Sequence, residues 1–129
     1  MPQIDWTIHA VVNCAMDAPF PDGICNACTQ GLTAYGHPEF QFVLHMNSIV
    51  DVLNTLGLRV RAGEQFTAGQ MVTGIFEDCR IRLDEFEENG RTVLRVIVPD
   101  ARNRWPEDPD CDYPYRLQTL PLDRLLRKG

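Results

Sequence analysis

No stretch of the 129 residues approaches the run of roughly 18 apolar residues that a membrane span needs. The opening MPQIDWTIHAVVN has neither the basic start nor the apolar run of a secretory signal. Basic charge is short as well: 12 Lys and Arg stand against 18 Asp and Glu, a net charge of −6. Affinity for a duplex comes largely from neutralised phosphates, so this balance speaks against a nucleic-acid partner, as the missing span speaks against a membrane. The chain also lacks an internal repeat, a low-complexity tract and a second Cys-x-x-Cys. Its five cysteines, Cys14, Cys25, Cys28, Cys79 and Cys111, are odd in number. With no export signal, the expectation is a reducing, cytoplasmic compartment in which thiols stay free unless a metal or redox chemistry claims them.

What is present reads as one globular domain over residues 1–129. A hydrophobic fraction of 44% and a charged fraction of 23% are ordinary, and the length suffices to bury a core without staples. Residues 6–12 alternate as a half-buried strand, with His9 on the polar face. Residues 16–26, with two prolines, a glycine and two aspartates, read as a loop. Thr29 to Leu32 suit a short strand, and Ala34 to Pro38 a turn. Glu39 to Met46 alternate Phe40, Phe42, Leu44 and Met46 against Glu39, Gln41, Val43 and His45, a second strand. Asn47 or Ser48 then suits the N-cap of a helix over Ile49–Val60, with Ile49, Val52, Leu53, Leu56 and Val60 as its apolar stripe and Gly63 as its stop. Met71–Phe76 follows a turn-rich piece. Asp78–Pro99 is a hairpin about Asn89-Gly90, whose type I′ turn pairs Glu88 with Arg91, Glu85 with Leu94 and Leu83 with Val96. One face is core; the other sets Arg80, Arg82, Arg91 and Arg95 across from carboxylates, so these arginines are not read as an anion site. From Asp100 the chain follows the surface, and the tail has room for one helical turn. Runs of strands with a single helix give an α+β class: a curved antiparallel sheet of five to six strands with one main helix packed on it.

Chemistry concentrates between Cys25 and Phe40. A thioredoxin-type redox pair is disfavoured for Cys25-x-x-Cys28, because the following TQGLTAYGHP cannot supply a helix of any length to depress a thiol pKa. As zinc ligands the two thiols need more donors. His37, nine residues on, can fold back, whereas His45 lies a further roughly 26 Å along an extended strand. Glu39, Cys14 or Cys111 would have to complete the set. The HxE of zinc nucleobase deaminases is rejected for His37-Pro38-Glu39, since there the HxE precedes the cysteines and sits on a helix. A Cys28 nucleophile with His37 as base is conceivable, against the commoner fate of a cysteine as a small buried hydrophobe. Asp100 ends the core hairpin and is either a base or a turn cap. Glu39 and Asp100 could act as paired carboxylates only at about 5–9 Å.

Taken together, GLTAYGHPEF, the helix with LNTLGLRVRAGEQFTAGQ, and VIVPDARNRWPEDPDCDYPY resemble the uncharacterised bacterial family catalogued as domain of unknown function 4262. The resemblance covers about residues 6–120, leaving 121–129 as a short tail. The family pattern has Tyr-Thr-x-Gly-Leu where this chain has Cys28-Thr29-Gln30-Gly31-Leu32, so Cys25 and Cys28 stand outside it. The resemblance implies a shared fold and a pocket around Gly31, His37, Glu39, Asp100, Arg104 and Trp105, and no activity. Two functional expectations follow. The first is a small cytoplasmic bacterial or phage protein acting as a non-catalytic binding or interaction domain for a protein or small molecule. The second is a small enzyme or accessory protein with catalytic His37, Glu39 and Asp100, ligand-binding Gly31, Arg104 and Trp105, and zinc on Cys25, Cys28 and His37. The order strand, Thr-x-Gly-Leu, turn, Pro-Glu, strand is also similar to flavin reductase barrels, which makes flavin a further cofactor to test.

Overall fold

Alternation of apolar and polar residues sets the sheet. The computed structural model describes residues 6–11, 23–88 and 90–125. Strands β1 (Thr7–Val11), β2 (Ile24–Gln30), β3 (Glu39–Leu44), β4 (Met71–Val72), β5 (Ile81–Glu88) and β6 (Arg91–Ile97) form one sheet in the order β1-β2-β3-β6-β5-β4. Every pairing is antiparallel except β3 with β6, which run parallel with Glu39 opposite Val93 and Phe42 opposite Val96. A parallel neighbour needs a long crossover. Here the helix and the β4–β5 hairpin supply it, and the expected antiparallel sheet with one main helix holds with this one parallel pair inside it. The order leaves β1 and β4 as edges, which departs from the closed barrel of the flavin reductase analogy.

The hairpin register is the expected one: Glu88 faces Arg91, Glu85 faces Leu94 and Leu83 faces Val96. Gly90 has φ +78°, as a turn of this kind requires; Asn89 lies outside the described residues. Helix α1 (Ile49–Arg61) buries the expected stripe of Ile49, Val52, Leu53, Leu56 and Val60 on one face of the sheet, against Phe40, Phe42, Leu83 and Val96. Ser48 precedes it without a side-chain cap. Trp6 packs closely against Gly57 of α1 and donates its indole N–H to Asn54 at 3.0 Å. No helix among the described residues is long and apolar enough to cross a membrane.

Local expectations are corrected in places. The loop over residues 16–26 gives way at Ile24 to a seven-residue strand, because Cys25 and Ala27 pack as apolar core residues alternating with Asn26 and Cys28; residues 16–22 lie outside the described part. Met71–Phe76, for which the sequence sets no element, contributes the two-residue strand β4. The outer face of the sheet is covered too. A short helical turn α2 (Leu122–Leu125) places Leu125 against Ile24 and Val43, with Leu117, Leu120 and Leu122 around them. Arg95, expected among surface pairs, is entirely buried beneath this segment.

Candidate functional site

The sequence-predicted residues divide between the two ends of the β3–β6 pair. At the N-terminal end, Gly31 adopts φ +126° and opens a short 3-10 turn, Leu32–Tyr35. The backbone N–H groups of Gly31, Leu32 and Thr33 converge there in the manner of an anion-binding nest. The anion is the chain's own Glu39. Its Oε2 accepts from Gly31 N at 3.0 Å and Thr33 N at 3.3 Å. Its Oε1 accepts from the Thr29 hydroxyl at 2.8 Å and Leu32 N at 3.2 Å. The same hydroxyl accepts from Phe40 N at 2.9 Å, tying β2 to β3. His37 is equally committed. Phe66 N–H donates to its Nε2 at 3.0 Å, so the proton sits on Nδ1, which donates to the Pro38 carbonyl at 2.8 Å. Its ring packs on Phe40 and Phe66.

At the other end, Asp100 follows β6. Val93, the partner of Glu39, is seven residues back, roughly 23 Å along an extended chain. The structure therefore brings His37 and Glu39 to one end and leaves Asp100 at the other, beyond the reach of a carboxylate pair. Oδ1 of Asp100 accepts from Arg102 N and Arg104 N; Oδ2 accepts from Arg104 Nε at 2.8 Å and Asp112 N at 2.9 Å. Burial pushes this carboxyl up, but the hydrogen bonds from the Arg104 and Asp112 backbone and the Arg104 guanidinium outweigh it and hold Asp100 well below the usual carboxylate range. Asp100 is the knot of the loop from Pro99 to Asp112. Arg104 extends it to the Asp112 carboxylate, and Trp105 lies against the Arg82 guanidinium at 5.2 Å.

The predicted zinc ligands do not gather. Cys25 and Cys28 lie on one strand, three residues apart, where successive side chains alternate faces. Cys25 points into the helix-covered core and its thiol contacts the Phe42 carbonyl, while Cys28 lies on the other face beside Asn26. Burial, reinforced by neighbouring Cys28, pushes the Cys25 thiol up to about 11; burial also raises Cys28. A metal ligand must be deprotonated, and both His37 nitrogens are in use, so these three residues do not fit the ion. No group of three or more His, Cys, Asp or Glu among the described residues is placed to hold a metal. Cys14 lies outside the described residues.

A wider concavity lies elsewhere. A cavity of about 670 Å³ opens between the segment after β4 and the loop after β6, lined by Thr73, Phe76, Glu77, Asp78, Arg80 and Trp105 among others. A second, of about 260 Å³, shares Phe76, Asp78, Cys79 and Asn103 with it and reaches Met46, Val98 and Asp100. Together they form a cleft just beyond the carboxyl ends of β3 and β6, where the chain leaves two parallel neighbours in different directions and opens a crevice between them. The carboxylates of Glu77 and Asp78 and the guanidinium of Arg80 are exposed at its rim and take part in no ion pair among the described residues. A separate, more open concavity of about 410 Å³ lies at the opposite end, beside Thr33, His37, Pro38, Arg91 and Thr92.

The family model described as Domain of unknown function (DUF4262) matches residues 3–112. The chain belongs to this family. Nothing among curated proteins or solved structures matches the chain. Within the DUF4262 domain, the residues that carry the family resemblance now have places: Thr29, Gly31, His37 and Glu39 staple one end of the sheet, and Asp100 and Arg104 staple the loop at the other. Of the residues expected to bind or react, Trp105 and Asp100 border the cleft, His37 borders the smaller concavity, and Gly31 and Arg104 border neither. Sequence reading missed Phe76, Asp78, Cys79 and Arg80 as cleft residues. The turn-rich stretch before the hairpin was the only signal for them.

Proposed function

We propose that this chain is a non-catalytic binding domain of a bacterial or phage cytoplasm, taking its ligand, a small molecule or a side chain of a protein partner, in the cleft beyond the carboxyl ends of β3 and β6. The observation that carries this reading is the division of labour among the polar groups. His37, Glu39 and Asp100 are buried and have their acceptor positions filled by the chain's own donors, mostly backbone N–H groups, leaving no lone pair directed at a reacting atom. The exposed charges of Glu77, Asp78 and Arg80, which take part in no ion pair among the described residues, instead border the cavity of about 670 Å³, beside the aromatic rings of Phe76 and Trp105. An apolar concavity with a few polar groups at its rim is the usual form of a binding site. The described cysteines are all free thiols, which suits a reducing compartment.

The test is capture from bacterial extract by immobilised full-length protein, quantified by mass spectrometry for proteins and small molecules. Trp105→Ala and Arg80→Glu in the cleft are compared with Thr92→Lys in the opposite concavity. Retention of a species by the wild type and Thr92→Lys, and its loss with both cleft variants, is the expected result. Loss with Thr92→Lys alone would move the site to the His37 end.

A further inference from the structure

The family match stops at residue 112, yet the outer face of the sheet is sealed by the chain that follows. Gln118, with no exposed surface, lies against the end of β6 and imitates a strand residue: its amide nitrogen donates to the Val98 carbonyl at 2.6 Å and its amide oxygen accepts from Val98 N at 2.8 Å. Arg95 donates through Nη1 to the carbonyls of Gln118, at 2.8 Å, and Leu120. From within the family domain the same guanidinium is fixed by Gln41 at 2.7 Å and Glu88 at 3.1 Å, and lies over the Phe86 ring at 3.6 Å. Leu125 and its neighbouring leucines fill the apolar patch at Ile24 and Val43. Pro114 presses on Gly23, where an added Cβ would come within 2.6 Å of the proline ring.

These are the contacts of peptide recognition. A prepositioned guanidinium reads main-chain carbonyls, one side-chain amide is read by a main-chain N–H and C=O, and leucines enter an apolar patch. The segment joins the sheet through no strand pairing of its own. Arg95 and Gln41, by contrast, belong to central strands, face each other across β3 and β6, and hold their positions by a bond to one another.

We propose that the outer face of the sheet is a peptide-binding groove, that residues 113–125 are its built-in occupant, and that a second peptide carrying the Leu-Gln-x-Leu-Pro-Leu pattern of residues 117–122 displaces them. Tyr115, within the occupant, also lines the smaller part of the cleft, so displacement would remove one wall of it. The groove does not depend on the cleft being a binding site.

The experiment uses the full chain with a protease recognition sequence inserted between the exposed Asp112 and Tyr113. After cleavage, a fluorescein-labelled synthetic peptide of residues 113–125 is titrated in, followed by anisotropy, with circular dichroism recorded in parallel. The cut protein should remain folded and exchange its severed segment for the labelled peptide saturably. A Gln118→Ala peptide should bind about tenfold or more weakly, having lost two buried hydrogen bonds, and uncut protein should bind the labelled peptide far more weakly than cut protein. Unfolding on release of the segment would make it part of the core and overturn the proposal. So would failure to exchange, or equal binding of a scrambled peptide.

Discussion

Replacing Glu39 by glutamine changes one oxygen into an NH2 group and little else in shape, which makes Glu39→Gln a sharp test of what this side chain does. The carboxylate accepts two hydrogen bonds on each oxygen, and three of the four donors are backbone N–H groups that cannot rotate away. Whichever way the new amide points, its NH2 meets donors. Turned toward Gly31 and Thr33, it opposes two N–H groups. Turned toward Thr29 and Leu32, it opposes one N–H and a hydroxyl that can reorient to accept. The second arrangement is the cheaper and leaves the Leu32 N–H, at 3.2 Å, without a partner. A buried donor stranded in this way costs about 1–3 kcal/mol, and hydrogen bonds to a charged acceptor are worth about 1.5–3 kcal/mol against about 1 for neutral ones. The sum for Glu39→Gln is about 2–4 kcal/mol, a large share of the roughly 5–15 kcal/mol that holds a domain of this size. Urea unfolding should show a lower midpoint at an unchanged slope. A midpoint within about 0.5 kcal/mol of wild type would refute the nest, and would return Glu39 to the list of groups kept for chemistry.

Gly57→Ala, which in an exposed helix interior would gain up to about 1 kcal/mol, should instead lose about 1–3 kcal/mol in thermal unfolding, because the new Cβ would lie 2.5 Å from the Trp6 ring. Arg95→Met should lose about 3–5 kcal/mol, since it strands Glu88 and Gln41 beneath the C-terminal segment; Arg95→Lys should rescue little of it, because an ammonium cannot span the same fork of partners. Desolvation pulls the Arg95 guanidinium down to about 10, so the pair stays charged at neutral pH. Asp100 is held below the ordinary carboxylate range, so its contribution is complete above about pH 4–5 and is lost as pH falls through the depressed value. The stability gap between wild type and Asp100→Asn, followed as urea midpoint against pH, should therefore be widest near neutrality and narrow steadily as pH falls below the ordinary carboxylate range; a gap that does not change with pH would contradict the loop knot.

Much of the fold was legible because its signals are local. Alternation in Glu39–Leu44 and the register about Gly90 required only period-two reading, and α1 required only its apolar stripe. The parallel pairing of β3 with β6 was not legible, since a strand's sequence does not name its neighbour. Arg95 shows the limit most clearly. Its place on the hairpin, one residue before the correctly read Val96, was legible, but its burial depends on a segment more than twenty residues later folding over it. The motif residues stood out in the sequence but their work was not visible: a Gly, a His and a carboxylate at this spacing suit catalysis or a nest equally, and the positions of three N–H groups show the nest. The cleft residues Phe76 to Arg80 carry no periodicity at all. They matter through where the hairpin and the Asp100 loop place them.

The measurement that bears most directly on the cleft is a protein-observed fragment titration on the full chain, following backbone amide shifts by two-dimensional nitrogen–proton NMR. Binding in the cleft predicts that saturable shifts gather on residues 73–80 and 99–105. Shifts gathered instead on Thr33, His37, Arg91 and Thr92, with the cleft silent, would contradict it.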